Sequence, residues 1–215
     1  MIRCENWGMI DYAESEHRQS EYVREIKEGT RTSTLVFCQH PTVITVGRAT
    51  EEGHIVTDMD RLRRLGIDVV TNNRGGDVTI HNPGQLIGYL LFHLSHFKED
   101  LHWFLREIEE SVMETLRTFG IESHRIDGLT GVWIGNQRKI CAIGVHCSRW
   151  VMSHGFALNV ANDTGEFDHI IPCGISDKTV TSMSEELGYL VEINAVASVC
   201  EEVITKRFSE VKKNL

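Results

Sequence analysis

The run Arg74-Gly75-Gly76-Asp77-Val78-Thr79-Ile80-His81-Asn82-Pro83-Gly84-Gln85, followed by Leu86-Ile87-Gly88-Tyr89-Leu90-Leu91-Phe92, decides how this chain is read. Paired glycines carry no Cβ, so the backbone at 75–76 can lie close against a ligand. A guanidinium and an imidazole beside that opening make a polar mouth. The apolar segment 86–92 behind it makes a wall. The combination suits a substrate with a reactive head and an apolar tail. The same residues also suit a ligand-free, glycine-punctuated hairpin with strands at 78–80 and 86–92.

Outward from this run, residues 11–28 predict a polar helix ending at Gly29, and 35–38 and 43–46 predict strands joined through His40-Pro41. Residues 58–65 predict a short helix stopped by Gly66, and 67–71 a strand leading into the arginine-glycine run. The clearest periodic signal is 99–119, where Leu101, Phe104, Leu105, Ile108, Val112, Leu116 and Phe119 share one helical face before Gly120. A hairpin is predicted from 132–134 and 140–145 around Gly135-Asn136, with a further strand at 156–160. Ser182 and Glu185 have capping-box spacing. A C-terminal helix over 194–208 would turn Val196, Val199, Cys200, Val203 and Ile204 inward. Strands gather in the middle without strict helix alternation, which favours an α+β class over a doubly wound sheet. No dinucleotide-type glycine fingerprint or Gly-Lys-Ser/Thr phosphate loop occurs. The 215 residues contain no repeat or linker, so one domain spanning 1–215 is expected.

Composition narrows the classes. A formal net charge of −9 argues against nucleic-acid binding, which needs a basic face. Local basic spots at Arg61, Arg63 and Arg64, at Arg138 and Lys139, and at Lys206 and Arg207 read either as solvated faces or as docking points for an acidic partner. No apolar run approaches the ~18 residues of a membrane span, and the first residues lack an apolar signal core. A cytoplasmic protein with no membrane association is therefore expected. Cysteines at 4, 38, 141, 147, 173 and 200 form no Cys-x-x-Cys pair, which fits a reducing compartment.

Two residues could carry chemistry. Cys173, between Pro172 and Gly174, sits in a loop context; near a cation such a thiol becomes a nucleophile, and otherwise it is an inert turn cysteine. Lys139 opens an apolar strand. It either snorkels to solvent or, desolvated, serves as a base. A Cys–His pair is also possible, with His81, His154 or His169 as base. The 11 histidines invite a metal, yet no His-x-x-x-His or Cys-x-x-Cys anchors one, and Glu99/His102, Glu166/His169 and His93/His96 lack converging partners; no metal is expected.

Five segments occur in one order: Arg74 to Gln85, Gly131-Val132-Trp133-Ile134, Lys139-Ile140-Cys141-Ala142-Ile143-Gly144-Val145, His154-Gly155-Phe156-Ala157-Leu158-Asn159-Val160, and Ile171-Pro172-Cys173-Gly174. Together the chain resembles the lipoyl(octanoyl) transferases, from about residue 30 to about 190. The resemblance implies the catalytic-domain fold of the biotin/lipoate protein ligases, a mixed sheet flanked by helices. It implies transfer of an octanoyl group from octanoyl-acyl carrier protein to a lysine of lipoyl domains, those of 2-oxoacid dehydrogenases and of the glycine cleavage H protein, with no ATP and no cofactor. It further implies that Cys173 forms the acyl-thioester with Lys139 acting beside it. The acyl-binding residues carried over are Arg74, Gly75, Gly76, Asp77, Val78, Thr79, Ile80 and His81, then Ala142, Ile143 and Gly144, then Gly155, Phe156 and Ala157. Two positions depart from the family's Thr-Tyr-His-Gly-Pro-Gly-Gln: Ile80 replaces tyrosine and Asn82 replaces glycine, which predicts a slightly shifted turn. Alternatives are a cysteine-dependent amidotransferase moving octanoyl or lipoyl groups between lipoyl domains, and a non-catalytic module that binds acyl carrier or lipoyl domains.

Overall fold

A computed structural model of the chain describes residues 2–171 and 178–213. The elements are β1 (Arg3–Met9), α1 (Tyr12–Glu28), β2 (Thr34–Gln39), β3 (Val43–Val46), α2 (Met59–Leu65), β4 (Asp68–Thr71), β5 (Thr79–His81), β6 (Gln85–Leu91), α3 (Leu101–Thr118), β7 (His124–Ile126), β8 (Leu129–Ile134), β9 (Arg138–Ser148), β10 (Val151–Asn159), β11 (Thr179–Val180), α4 (Met183–Leu187) and α5 (Ile193–Lys213). Among the described residues these form a large mixed sheet in the order β1-β2-β6-β10-β9-β8-β7, with β11 paired to β9, and a small sheet β4-β3-β5. The expected α+β class holds.

Helix ends follow their sequence signals. The Asp11 carboxylate accepts from the Ala13 and Glu14 amides, and Gly29 closes α1 in the left-handed conformation. Ser182 and Glu185 complete the predicted capping box at α4.

The large sheet buries both faces. On one, Phe104, Ile108, Val112 and Leu116 of α3 and Val196, Cys200, Ile204 and Phe208 of α5 pack on Leu35, Leu90, Leu158 and Met152. The apolar stripe of α3 has helical spacing, so one face of it meets the sheet and α5. On the other, Ile26 of α1 joins Val36, Cys38, Ile87 and Leu91. The small sheet has its own cluster of Ile44, Leu62, Ile67, Val78, Ile80, Phe167 and Ile170. Arg74, in the loop between β4 and β5, is tied to β3: its Nη2 donates to the Thr45 carbonyl at 2.7 Å and to Thr45 Oγ1 at 2.9 Å.

β7 and β11 are unforeseen, and β1, β9 and β10 also differ from the sequence expectation. β1 is unforeseen because Arg3, Glu5 and Asn6 give no apolar alternation; as an edge strand, parallel to β2, it needs only one protected face. β9 and β10 run further than 140–145 and 156–160. Their hairpin closes through Arg149 and Trp150, with φ of 52° and 59°. A two-residue turn of this kind normally selects Asn-Gly, so Arg-Trp carried no turn signal.

Candidate active site

A cavity of about 450 Å³ lies between the large sheet and the small one. Its walls come from β6 and β10 (Ile87, Tyr89, Phe156, Ala157, Asn159), from β9 (Lys139, Ala142, Ile143, Gly144), and from the small-sheet side (Arg74, Gly76, Asp77, Val78, Thr79, His81). The structure thus brings segments separated by over seventy residues to one space.

The close approach at β9 depends on missing side chains. Gly75 N–H donates to the Val145 carbonyl at 2.9 Å. A Cβ at Gly144 would stand 2.7 Å from the Gly75 carbonyl oxygen, so any other residue would push the arginine-glycine run off the strand.

Lys139 does not snorkel: it is 7% exposed and lines the cavity. Its Nζ donates to the Thr130 carbonyl at 3.2 Å and lies 4.7 Å from the centre of the Trp133 ring, a cation–π distance. The β8–β9 pairing explains its aim. Val132 faces Cys141 while Trp133 faces Lys139, so Ile140 is an extra residue on β9. Such a bulge breaks the alternation of faces. Ile140 and Cys141 both join the helix-covered core, and Lys139 is left to the cavity. Gly131, at φ +130°, makes room: a Cβ there would stand 3.1 Å from Lys139 Cε.

The other expected residues divide. Gly75 and Ile80 do not line the cavity; Ile80 is buried in the small-sheet core. Gly155, Phe156 and Ala157 do line it. Arg74 is not part of an open mouth, because it is almost wholly buried and bonded to Thr45. Asn82 does not adopt positive φ; Gly84 takes that conformation at +90°. The Asn82 amide instead donates to the Asp163 carbonyl and to Glu166, so the departure from glycine gains anchoring bonds. Pro172, Cys173 and Gly174 lie outside the described residues. The Ile171 N–H donates to the His54 carbonyl at 2.8 Å, which holds Ile171 beside the loop that carries His54.

Sequence reasoning missed Tyr12, His54, Tyr89 and Asn159 as cavity residues. His54 Nδ1 stands 2.7 Å from Asp77 Oδ2. None of the four belonged to a residue pattern that distinguishes a lining position from a core one. Of the histidines considered as bases, His169 is paired with Thr57 Oγ1 at 2.9 Å and does not line the cavity. His154 bonds Asn73 at 2.9 Å and holds φ +60°, a conformation that histidine tolerates better than most residues. Cys141 and Cys147 do not line the cavity. Burial pushes the thiols of Cys38 and Cys141 well up, and those of Cys4 and Cys200 to about 12, so these four are not activated nucleophiles. The basic spots are partly ion-paired, Arg138 with Glu186 and Arg207 with Glu107.

Burial also holds three imidazoles neutral. Desolvation pushes His81 down to about 3 and His154 to about 4, and lowers His40. The unfolded chain protonates these groups near pH 6.5 and the folded chain does not. Between those values the unfolded state binds more protons, so stability rises with pH and is lost as pH falls. Urea denaturation midpoints should therefore decrease from pH 7 to pH 5. A flat midpoint over that interval would contradict neutral burial of the three rings.

The family model of the lipoyl protein ligase A/B catalytic domain matches residues 11–205. An octanoyltransferase of Solibacter usitatus is 45% identical over 204 residues, covering 95% of this chain and 90% of the relative. The chain belongs to the octanoyltransferase family. Its fold is that of the protein ligases. A bi-partite lipoate protein ligase from Thermoplasma acidophilum superposes with a TM-score of 0.72 at 17% identity, covering 95% of this chain and 82% of that one. The biotin protein ligase of Aquifex aeolicus superposes at 0.56 and 14% identity, covering 99% and 72%. The octanoyltransferase fold places the enzyme's cavity between its two sheets. Among the described residues, no group of three metal-ligating side chains converges, and no helix is long and apolar enough to cross a membrane.

Proposed function

We propose that this acyltransferase moves an octanoyl group from octanoyl-acyl carrier protein to a lysine of lipoyl domains, those of 2-oxoacid dehydrogenases and of the glycine cleavage H protein. It does so through an acyl-thioester on Cys173, in the cytoplasm. The observation that carries the reading is the buried Lys139 side chain in a cavity that also has an apolar wall of Ile87, Ile143, Phe156 and Ala157. Burying seven aliphatic carbons of the chain contributes about 5 kcal/mol at ~0.8 kcal/mol per methylene, which favours a mid-length acyl group over acetyl.

The chemistry closes on itself. In this reading Cys173 acts as a thiolate whose charge the Lys139 ammonium offsets. The thiolate attacks the donor thioester carbonyl, the donor's C–S bond breaks, and the departing thiolate takes a proton from Lys139. The neutral Lys139 amine then accepts the proton lost by the acceptor lysine as its nitrogen forms the amide bond and Cys173 leaves as thiolate. The thioester donor is already activated, so no nucleotide is required.

Intact-protein mass spectrometry after brief incubation with octanoyl-acyl carrier protein, without acceptor or ATP, tests this. One hydroxylamine-sensitive octanoyl adduct on the wild type and none on Cys173→Ala is the expected result. Absence of an adduct on the wild type would sink the reading; loading from octanoylated lipoyl domain instead would identify an amidotransferase.

A further inference from the structure

His81 ends a chain of hydrogen bonds whose direction is fixed by backbone carbonyls, which can only accept. Asn159 Nδ2 donates to the Thr181 carbonyl at 2.9 Å, so Asn159 presents its oxygen to Gln85. Gln85 Nε2 donates to that oxygen at 2.8 Å and reaches the Ile80 carbonyl at 3.3 Å. Two independent acceptors therefore orient the Gln85 amide, and its Oε1 must face His81 Nδ1, 2.8 Å away. An oxygen there requires a proton on Nδ1. The ring is neutral, so Nε2 carries a lone pair. It has no hydrogen-bond partner among the described residues, and the ring lines the cavity. Tyr12 stacks on the same ring at 5.9 Å and 11°, and His40 stands at 5.9 Å, so the imidazole cannot swing away without breaking packing. The chain begins at β9: the Thr181 N–H donates to the carbonyl of Lys139 itself at 3.0 Å.

We infer that His81 Nε2 is the hydrogen-bond acceptor that positions the acceptor lysine's amine in the cavity, and that Gln85 and Asn159 are positioning residues that hold its tautomer. This rests on the octanoyl-transfer reading above. A neutral amine brings N–H donors, whereas the acyl chain brings none. His81 holds the amine and does not take its proton; that proton goes to Lys139.

Long-range proton–nitrogen correlation spectra of the full chain labelled with ¹⁵N-histidine test the tautomer, with His81 assigned through the signal missing in His81→Phe. The expected result is a protonated Nδ1 and a bare Nε2, unchanged from about pH 5 to 8. A protonated Nε2, or a titration within that range, overturns the inference. Gln85→Met should shift the Nε2 resonance toward the protonated position, and Gln85→Glu should restore the bare form; a spectrum indifferent to both overturns the positioning chain. For the amine, wild type and His81→Phe are loaded with octanoyl-acyl carrier protein and chased with lipoyl domain. The chase step should slow by about 10²-fold, and by more than the loading step, as for a misplaced reactant. Equal slowing of both steps overturns the amine's role. Failure of the wild type to load removes the octanoyl reading and the amine's role with it, while the resonances still decide the tautomer.

Discussion

Lys139→Met is expected to lower octanoyl transfer by about 10²–10⁴-fold, the range for loss of a positioned acid–base group. Methionine keeps the unbranched stem that packs near Trp133 and fits the space left by Gly131. The fold should therefore persist, and a thermal melt should show the variant cooperative. Two steps suffer for different reasons. In the proposed mechanism acyl-enzyme formation would lose the ammonium that favours the Cys173 thiolate, so its rate should need higher pH to recover. Transfer to the acceptor lysine would lose the amine proposed to take the proton, and raising the pH should not restore it fully. Single-turnover rates for loading and for chase, each measured across pH, separate the two. A variant that turns over like wild type, with an unchanged pH profile, would remove Lys139 from the mechanism.

Phe208→Ala should produce the largest loss of stability, about 3–5 kcal/mol. Its ring is fully buried and is the hub of an aromatic cluster: Phe92 lies 5.1 Å away edge-on, Phe97 5.5 Å, Trp103 5.7 Å and Phe104 5.8 Å. These contacts join α5 to α3 and to the residues following β6. Four large rings around the vacated volume cannot all collapse into it, so the cavity penalty adds to the lost transfer energy. For a chain of this size that loss lowers Tm by roughly 6–20 °C. Urea denaturation and calorimetry of the variant would measure it, and a loss under 1 kcal/mol would show that the cluster re-packs. Because Phe208 does not line the cavity, single-turnover loading of the folded fraction should be preserved.

What the sequence made legible follows the physics of each element. α3 could be read because Phe104, Ile108, Val112 and Leu116 repeat at helical spacing and all four are fully buried. β6 could be read because both its faces are covered, leaving an unbroken apolar run. The hairpin through Gly135 followed from its turn residues, whereas the one through Arg149 and Trp150 did not. The site was legible through the family's ordered segments more than through any local pattern. Lys139 shows why: a strand-end lysine reads as solvent-facing, and only the bulge at Ile140, invisible without its partner strand, turns it inward. Tyr12 and Tyr89 looked like core residues, and they are buried as core residues are; their second role comes from a neighbouring void that only the assembled sheets create. Ile80 was misassigned for the complementary reason, since alternate residues of one short strand face opposite sides and His81 takes the cavity side.

The cavity has one wall on each of two separate sheets, and this makes the cargo a mechanical element. The small-sheet side crosses β9 at Gly75, whose N–H bonds the Val145 carbonyl, and the cavity lies between the two layers. An eight-carbon chain seated there would fill a hollow in the interior and brace both layers at once. Binding and release of such a chain would then be written into the rigidity of the two layers around the cavity.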